Sequence, residues 1–229
     1  MTDITHHIST EPVWSPGNVE TLPVMEAFYT LQGEGFHQGK AAYFIRLGGC
    51  DVGCVWCDVK ESWDLSAHAQ KSIVQIVDEA KSIVGDRSTV NTQVQNKHVC
   101  VITGGEPLMH DLSNLTNLLQ RTGFATHIET SGAYPLTGSW DWICVSPKKF
   151  KRPLKEVLQM ASELKVVVYN KSDFRWAEDN AALVSQQCQL YLQPEWSKAN
   201  AITPLIIDYI KSQPRWQLSL QIHKYINIP

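Results

Sequence analysis

The amino-acid sequence predicts an α/β fold in which about six strand–helix units form a partial, open TIM-like barrel. Apolar runs with strand character alternate with segments of helical periodicity along the 229 residues, and no long linker divides them. This alternation indicates a mostly parallel sheet, because helical crossovers join parallel strands. About six units are too few to close a barrel of eight, so we expect an open barrel, with a doubly wound sheet as the alternative.

The first half of the chain contains a strand–helix–strand unit that follows from its residue types. Residues 41–47 (AAYFIRL) combine aromatic and β-branched side chains between Gly-containing segments, which predicts a strand. Residues 72–85 place apolar side chains at helical spacing and end at Gly85, which predicts a helix. A polar surface loop is predicted over 86–97. The continuous apolar run HVCVIT (98–103) is typical of a parallel strand buried on both faces.

The second half of the chain repeats this alternation. Helices are predicted over 112–123, 153–161, 174–186 and 201–213, and strands over 124–130, 142–146, 164–169, 188–194 and 216–226. We expect one domain over 1–229, with a short N-terminal strand or hairpin and with residues 1–22 as a peripheral extension. Because the carboxyl ends of parallel strands share one edge, ligands are expected at that edge.

Composition and charge exclude several classes of protein. Charged residues make up 19% and hydrophobic residues 43% of the chain, which is typical of a globular domain. The net charge of −3 gives no bulk attraction for nucleic acid or an anionic membrane, so neither is expected as a partner. The N-terminus lacks the basic start and apolar run of a secretory signal, and no stretch is long enough to span a bilayer. We therefore expect a cytoplasmic protein.

The six cysteines divide into two groups of three. Cys100, Cys144 and Cys188 lie in apolar runs, which predicts thiols buried in or beside strands. A disulfide scaffold is not expected, because the chain is large for one and carries no export signal.

Cys50, Cys54 and Cys57 lie together on one Gly-containing loop and need another explanation. A structural zinc site uses four ligands, commonly two close pairs, and the second pair is missing here. A thioredoxin-like CxxC motif leaves the third thiol unexplained. An ordinary ferredoxin cluster uses four cysteines, whereas three thiolates around a cubane leave one iron open for chemistry. A non-catalytic module with structural zinc remains an alternative from a different class.

The segment CDVGCVWC (50–57) resembles the C-x3-C-x2-C signature of radical S-adenosylmethionine enzymes, including the aromatic residue before the third cysteine. The resemblance implies that the three cysteines ligate a 4Fe–4S cluster and that S-adenosylmethionine chelates the fourth iron. Reductive cleavage would then yield a 5′-deoxyadenosyl radical that takes a hydrogen atom from the substrate.

Three further motifs at predicted strand ends resemble cofactor-binding segments of the same enzymes. They are ITGGEPL (102–108), VSPK (145–148) and LQPEW (192–196). The contacts with S-adenosylmethionine that the resemblance implies are Val55, Trp56, Asp58, Gly104, Gly105, Glu106, Ser146, Pro147, Lys148, Gln193, Pro194, Glu195 and Trp196.

The segment FYTLQGEGFHQGKAAYFIRLGGC (28–50) resembles the 7-carboxy-7-deazaguanine synthase family, and the similarity extends from Met25 to the terminal HKYINIP. Members of that family are carbon–nitrogen lyases that contract the ring of 6-carboxy-5,6,7,8-tetrahydropterin with loss of ammonia, on the route to queuosine. The resemblance implies Mg²⁺, a homodimer and a reducing electron donor such as flavodoxin or ferredoxin. The substrate contacts that it implies are Leu31, Gln32, Gly33, Glu34, Arg46, Thr103, His223 and Pro229.

These residue types suit a carboxylated pterin. Gln32 and Glu34 supply amide and carboxylate partners for the donors and acceptors of the pterin edge. The planar guanidinium of Arg46 matches the substrate carboxylate in two hydrogen bonds, and Pro229 would reach the pterin through its α-carboxylate. An alternative keeps the radical chemistry but takes hydrogen from a glycine of a partner protein, as small activating enzymes do.

One position departs from the family pattern. A hydroxyl residue usually stands two places after the third cysteine and ligates Mg²⁺, whereas this chain has Val59, which cannot coordinate a hard cation through its side chain. Substrate, water, backbone or the nearby Asp58 would then hold the metal. We therefore expect weaker magnesium dependence than in the family.

Overall fold

One sheet of nine strands organises the structure, a computed structural model that describes residues 20–85 and 97–229. Within these ranges the strands are β1 (Thr21–Leu31), β2 (Ala41–Leu47), β3 (Ala69–Ser72), β4 (His98–Gly104), β5 (Phe124–Thr130), β6 (Trp142–Val145), β7 (Glu163–Val168), β8 (Gln189–Pro194) and β9 (Trp216–Leu218). The α-helices of the same ranges are α1 (Ile73–Val84), α2 (Ser113–Arg121), α3 (Lys155–Met160), α4 (Ser172–Ala181), α5 (Ala199–Ser212) and α6 (Ile222–Ile226).

The strand order is β3-β1-β2-β4-β5-β6-β7-β8-β9, so the parallel strands lie side by side in chain order. β2 and the strands from β4 to β9 run parallel, whereas β1 pairs antiparallel with both β2 and β3. A doubly wound sheet reverses its strand order at a switch point, and the described parallel strands show no reversal. The predicted open α/β barrel with an N-terminal hairpin is therefore confirmed.

Side chains on the parallel strands alternate between two environments, as the strand repeat requires. Ile102 and Leu164 are fully buried in the main hydrophobic core, which the strands share with the helices. Their chain neighbours Thr103 and Lys165 face the other way and line a cavity at the carboxyl ends of the strands. The interior of the partial barrel is therefore polar where a ligand would enter it.

The turn between β1 and β2, residues 32–40, enters this interior. Gly35 N–H donates to Ser219 Oγ at 3.0 Å, and Phe36 N–H donates to Glu163 Oε2 at 3.3 Å. Gly35 has a φ of 63°, and a Cβ there would collide with the Glu163 carboxylate. Glycine is required at this position, and it carries the LQGEG segment into the barrel.

The predicted final strand over 216–226 is wrong beyond Leu218, because β9 ends there and α6 follows. Ser219 Oγ donates to a side chain of β8 at 2.7 Å, and Ile222 N–H donates to Gly33 O at 3.0 Å. These hydrogen bonds turn the chain across the cavity. Tertiary contacts thus override a local apolar alternation that is typical of a strand.

Two predicted segments lie largely outside the described residues. The polar loop expected over 86–97 is described only at Lys97, and the extension expected over 1–22 is described only from residue 20 onward. Thr21 and Leu22 belong to β1, and Leu22 is buried in the core rather than peripheral.

The predicted burial of the second cysteine group is confirmed. Cys100, Cys144 and Cys188 are all buried free thiols, at or next to strands as their apolar surroundings indicated. Among the helices of the described ranges, none is long and apolar enough to cross a membrane.

We expect Ser72→Ala to lower the free energy of unfolding by about 1 kcal/mol, because it removes half of a capping box. Ser72 Oγ accepts from Gln75 N–H at 3.2 Å, and Gln75 Oε1 accepts from Ser72 N–H at 3.0 Å, at the start of α1. Ser82→Ala, at an exposed site of the same helix, is the control and should change stability by less than about 0.5 kcal/mol. Urea unfolding measures both, and equal losses in the two variants would contradict the capping role.

Candidate active site

A cavity of about 670 Å³ opens at the carboxyl ends of the parallel strands. The cysteine loop, the segments after β1, β4, β6 and β8, and the C-terminal segment border it. All site residues predicted from the sequence line this cavity except Pro147. Pro147 is buried, and its carbonyl oxygen accepts from Trp176 Nε1 at 3.4 Å.

Backbone hydrogen bonds hold the cysteine loop against the short 3-10 turn that follows it. Gly49 N–H donates to Ser62 O at 2.7 Å, and Cys50 N–H donates to the next carbonyl at 3.3 Å. Cys54 is buried, Cys50 and Cys57 are partly exposed, and all three are free thiols. The loop therefore presents three unpaired thiols to one cavity.

A set of three thiols suits an iron–sulfur cluster, which takes one thiolate at each of three irons. Among residues 20–85 and 97–229, no three His, Cys, Asp or Glu side chains converge as ligands of one ion. A cluster distributes its thiolates over several irons, so its ligands need not converge on one point. Burial raises the pKa of the Cys50 thiol, and it raises the pKa of the Cys54 thiol to about 11. Iron must therefore displace the thiol protons as it binds.

Gly104 and Gly105 place the end of β4 directly against the cysteine loop. Gly105 N–H donates to Leu47 O, and Glu106 N–H donates to Gly49 O, both at 2.8 Å. A Cβ at Gly105 would lie well inside van der Waals contact with Gly49 O, and Gly104 has a φ of 123°. Both positions require glycine for this close approach of two backbones.

Glu106 is only 1% exposed, and its carboxylate makes its hydrogen bonds inside the protein. It accepts hydrogen bonds from Ser131 N–H at 2.8 Å, from Leu108 N–H at 3.1 Å and from the hydroxyls of Thr130 and Ser131. These bonds tie the motif after β4 to the end of β5. The Glu106 side chain therefore holds the backbone of this motif in place. The contact with S-adenosylmethionine that the resemblance implies is then expected from that backbone.

Lys148 and Trp196 flank the cavity from the ends of β6 and β8. Lys148 Nζ donates to Ser146 O at 2.8 Å and lies 5.5 Å from the ring centre of Trp56 in the cysteine loop. Burial lowers the pKa of Lys148. Trp196 packs edge-on against Tyr225 of α6, with ring centres 5.2 Å apart.

Lys165 lies at the centre of a polar network on the other side of the cavity. Its ammonium is paired with Glu34 from the β1–β2 turn and, at 3.0 Å, with Glu129 of β5. Gln32 Nε2 donates to Glu129 Oε1, and Gln221 Nε2 donates to Glu34 Oε1, both at 2.8 Å. The five side chains form one chain of hydrogen bonds, and all of them line the cavity.

Charge pairing in this network keeps Glu34 and Lys165 ionised. Burial raises the pKa of Glu34, but the Lys165 ammonium and the hydrogen bonds from Lys165 and Gln221 outweigh burial and bring that pKa to about 2. Burial likewise lowers the pKa of Lys165, but the carboxylates of Glu129 and Glu34 hold it well above its usual value. Glu34 therefore acts only as a hydrogen-bond acceptor near neutral pH.

Arg46 and Thr103 are register partners on β2 and β4, so both side chains reach the same level of the cavity. Arg46 Nε lies 3.3 Å from Glu26 Oε1 in an ion pair. The pair is not aligned as a hydrogen bond, and this buried nitrogen has no hydrogen-bond partner among the described residues. The guanidinium thus keeps donor capacity for a planar anion, which would compete with Glu26.

The C-terminal segment places His223 and Pro229 at the edge of the cavity. The His223 ring packs so closely on Gly33 that a Cβ at Gly33 would collide with Nδ1. Thr30 Oγ1 donates to Pro229 O at 3.4 Å. The C-terminal residue therefore contacts β1 at the predicted substrate site.

The residues after the third cysteine do not fit a dedicated Mg²⁺ site. Val59 lines the cavity with an apolar side chain, and Asp58 Oδ2 is paired with Lys224 Nζ at 2.7 Å. A hard cation needs oxygen ligands, and here the one carboxylate beside Val59 already has a cationic partner.

Sequence reasoning missed Glu129, Lys165 and Gln221. The first two carried a signal, because each is an ionisable residue inside an apolar strand run, HIET or ELKVVV. A charge in a buried strand is retained only when it is paired or functional. Gln221 carried no signal, since a hydrogen bond to Glu34, 187 residues away, brings it to the site.

Comparisons with known proteins point to one group of enzymes. The chain is 52% identical to a protein of Flavobacterium psychrophilum named 7-carboxy-7-deazaguanine synthase, over 92% of this chain and 94% of that protein. It is 46% identical to a Synechocystis protein of the same name, over 91% and 94%. The crystal structure of QueE from Escherichia coli matches with a TM-score of 0.70 and 33% identity, over 87% of this chain and 93% of that one. No family model matches the chain.

We expect Gly105→Ala to prevent normal cluster assembly, because its Cβ would push the Gly49 carbonyl and displace the cysteine loop. Such overpacking typically costs about 1–3 kcal/mol. Gly123→Ala, after α2, is the control, since it has a positive φ but open space around its Cβ. Iron and sulfide content after anaerobic reconstitution should fall for Gly105→Ala and stay at the wild-type level for Gly123→Ala. Full iron content in Gly105→Ala would contradict the proposed close packing.

Proposed function

Because the chain belongs to the 7-carboxy-7-deazaguanine synthase family, we propose that it converts 6-carboxy-5,6,7,8-tetrahydropterin to 7-carboxy-7-deazaguanine with loss of ammonia. The reaction is that of a carbon–nitrogen lyase on the route to queuosine. One observation carries the proposal. A single cavity joins three free thiols, at Cys50, Cys54 and Cys57, to an amide–carboxylate network centred on Lys165.

The cofactor end of the cavity fits the groups that the family implies. Cys50, Cys54 and Cys57 would hold a 4Fe–4S cluster, and the backbone of Gly104 and Gly105 would border S-adenosylmethionine. When bound, these groups supply a carbon radical that takes one hydrogen atom from the substrate. The protein's own contribution is to hold the cysteine loop and the β4 end in fixed contact.

The other end of the cavity suits a planar heterocycle that carries a carboxylate. The ionised Glu34 accepts hydrogen bonds from amino and ring N–H groups, and the amide of Gln32 offers either role. Arg46 would take the substrate carboxylate in two hydrogen bonds, and Thr103 adds a hydroxyl at the same level. A substrate held at several points is oriented for reaction at one carbon.

The alternative of an activating enzyme for a partner protein's glycine is not favoured. A backbone glycine presents one N–H and one C=O, whereas the network around Lys165 offers several acceptors and amides to a small polar molecule. The C-terminal segment also lines the cavity, so this cavity is bordered by the chain end as well as by the strand ends.

Turnover of the pterin is the direct test. We expect anaerobically reconstituted protein with S-adenosylmethionine, reductant and 6-carboxy-5,6,7,8-tetrahydropterin to yield the ring-contracted product and ammonia, detected by mass spectrometry. Glu34→Gln replaces the acceptor carboxylate by an amide and should raise the pterin Kd by about tenfold or more. Release of 5′-deoxyadenosine with the pterin unchanged would contradict the proposed substrate.

A small acidic redox protein such as flavodoxin or ferredoxin is the electron donor that we propose. The segment after β6 supports this proposal, because Arg152 and, at the start of α3, Lys155 are exposed there, and Phe150 packs edge-on against Trp56 of the cysteine loop. Basic side chains next to the cluster loop would attract an acidic partner. The homodimer that the resemblance implies stays a prediction.

We further infer that turnover depends only weakly on Mg²⁺, because Val59 offers no oxygen ligand and Asp58 is paired with Lys224. Enzyme treated with EDTA should keep most of its kcat/KM, and Mg²⁺ titration should restore little. Val59→Thr, close in volume to the wild type, places a hydroxyl at this position and should increase the stimulation by Mg²⁺. An absolute requirement for Mg²⁺ in the wild type would contradict the inference.

A further inference from the structure

Two carboxylates share one ammonium at the centre of the predicted substrate site. Lys165 pairs with Glu34 on one side and with Glu129 on the other, so one basic side chain is shared by two acidic ones. The Lys165 side chain is 4% exposed, which leaves it little contact with water. Its charge is therefore balanced by these two carboxylates and by little else.

We propose that Lys165 is a positioning residue that holds the carboxylates of Glu34 and Glu129 side by side as hydrogen-bond acceptors and so sets the site's affinity for the N–H-rich edge of its substrate. This inference rests on the proposed pterin substrate. Two ionised carboxylates are acceptors only, and one uncompensated negative charge favours a ligand edge that presents several donors. Lys165 acts through the two carboxylates and needs no contact with the substrate itself.

The surrounding hydrogen bonds show that both carboxylates are held as acceptors. Glu129 Oε1 accepts a hydrogen bond from Gln32 Nε2, and Glu34 Oε1 accepts one from Gln221 Nε2, each at 2.8 Å. Glu34 N–H donates to Gln32 Oε1 at 3.1 Å, so the orientation of this amide is fixed from both sides. A proton on either carboxyl group would turn an acceptor into a donor and break this pattern.

Other ionisable groups face the same region from every neighbouring segment. They are His37 in the β1–β2 turn, Arg46 on β2, His127 on β5, Cys144 on β6, Lys148 in the loop after β6, Glu163 on β7 and His223 on α6. Burial lowers the pKa of His37 and of His127 to about 4, so both favour their neutral forms near neutral pH. Burial raises the pKa of the Cys144 thiol well above its usual value, and it raises the pKa of Glu163 and lowers that of His223. Cys144 and His223 therefore favour their neutral forms, and Lys165 is the cation that touches both carboxylates.

Removal of the ammonium changes the ionisation of the pair. Two carboxylates without a cation between them repel, and the pKa of one rises until it holds a proton. In Lys165→Met the pair would carry one proton at low pH and none at high pH. Since that proton removes an acceptor, the substrate affinity of Lys165→Met should be lowest at low pH and should recover, relative to the wild type, as the pH rises through that new pKa.

The test is a double-mutant cycle with substrate binding as its readout. Kd for 6-carboxy-5,6,7,8-tetrahydropterin is measured by calorimetry, without reductant, for the wild type, Lys165→Met, Glu129→Gln and the double variant between about pH 6 and pH 9. The double variant again leaves one negative charge, on Glu34. Lys71→Met, which removes a surface ion pair with Glu79, is the matched control.

We expect Lys165→Met to raise Kd by about tenfold or more at the lower end of this range, and by about threefold or less in the Glu129→Gln background. The ratio of variant to wild-type Kd removes the titration of the substrate itself. An effect of Lys165→Met that is equal in both backgrounds, or independent of pH, would overturn the proposal in favour of simple packing. Failure of both Lys165→Met and the double variant to fold would also overturn the proposal, because it would show that Lys165 is needed for packing. Folding of the double variant but not of Lys165→Met would support a role in charge balance.

The proposed function and this inference fail in different ways. Wild-type protein that neither binds nor converts the pterin would remove the proposed function before any variant is compared. Wild-type protein that converts the pterin, with Lys165→Met unchanged in Kd at every pH, would remove only the role of Lys165.

Discussion

The close contact of the Gly104–Gly105 backbone with the cysteine loop sets the geometry of the whole open end of the barrel. Two backbone hydrogen bonds join the segments at 2.8 Å, and no side chain larger than hydrogen fits at Gly105. The buried Glu106 carboxylate then anchors the same segment to the end of β5. A flexible loop is thereby held on a rigid sheet edge, which is the arrangement that a precise ligand site needs.

The barrel interior contains charged side chains, and those of the Lys165 network lie beside partners of opposite charge. A buried ion loses several kcal/mol of hydration free energy unless partners replace the water. Lys165, Glu34 and Glu129 replace that water with one another. The side-chain amides of Gln32 and Gln221 supply further hydrogen bonds to the two carboxylates. The donors and acceptors are therefore oriented before any ligand arrives, so little rearrangement opposes binding.

Most of the fold follows from the sequence, because periodicity and strand-like runs report on burial. The helix of α1 and the strand of β2 were predicted almost to the residue, since Ser72 and Gly85 mark the helix ends and an apolar run marks the strand. The motifs also predicted which segments meet at the thiol end of the cavity. The charge network was harder to predict, because the pairing of Lys165 with Glu34 depends on a turn that enters the barrel. The segment after Leu218 was mispredicted for the same reason, since distant hydrogen bonds decide its shape.

The two ends of the cavity differ in the sequence separation of the residues that hydrogen-bond to each other there. Gly49 and Glu106 lie on neighbouring elements, whereas the hydrogen bond from Gln221 to Glu34 spans 187 residues. Closing a longer loop costs more chain entropy, and contacts of high sequence separation form late in folding. The cysteine loop and the end of β4 are thus expected to take their final arrangement before the network centred on Lys165 does. A newly made chain would then be competent for iron delivery before it can recognise its small-molecule ligand.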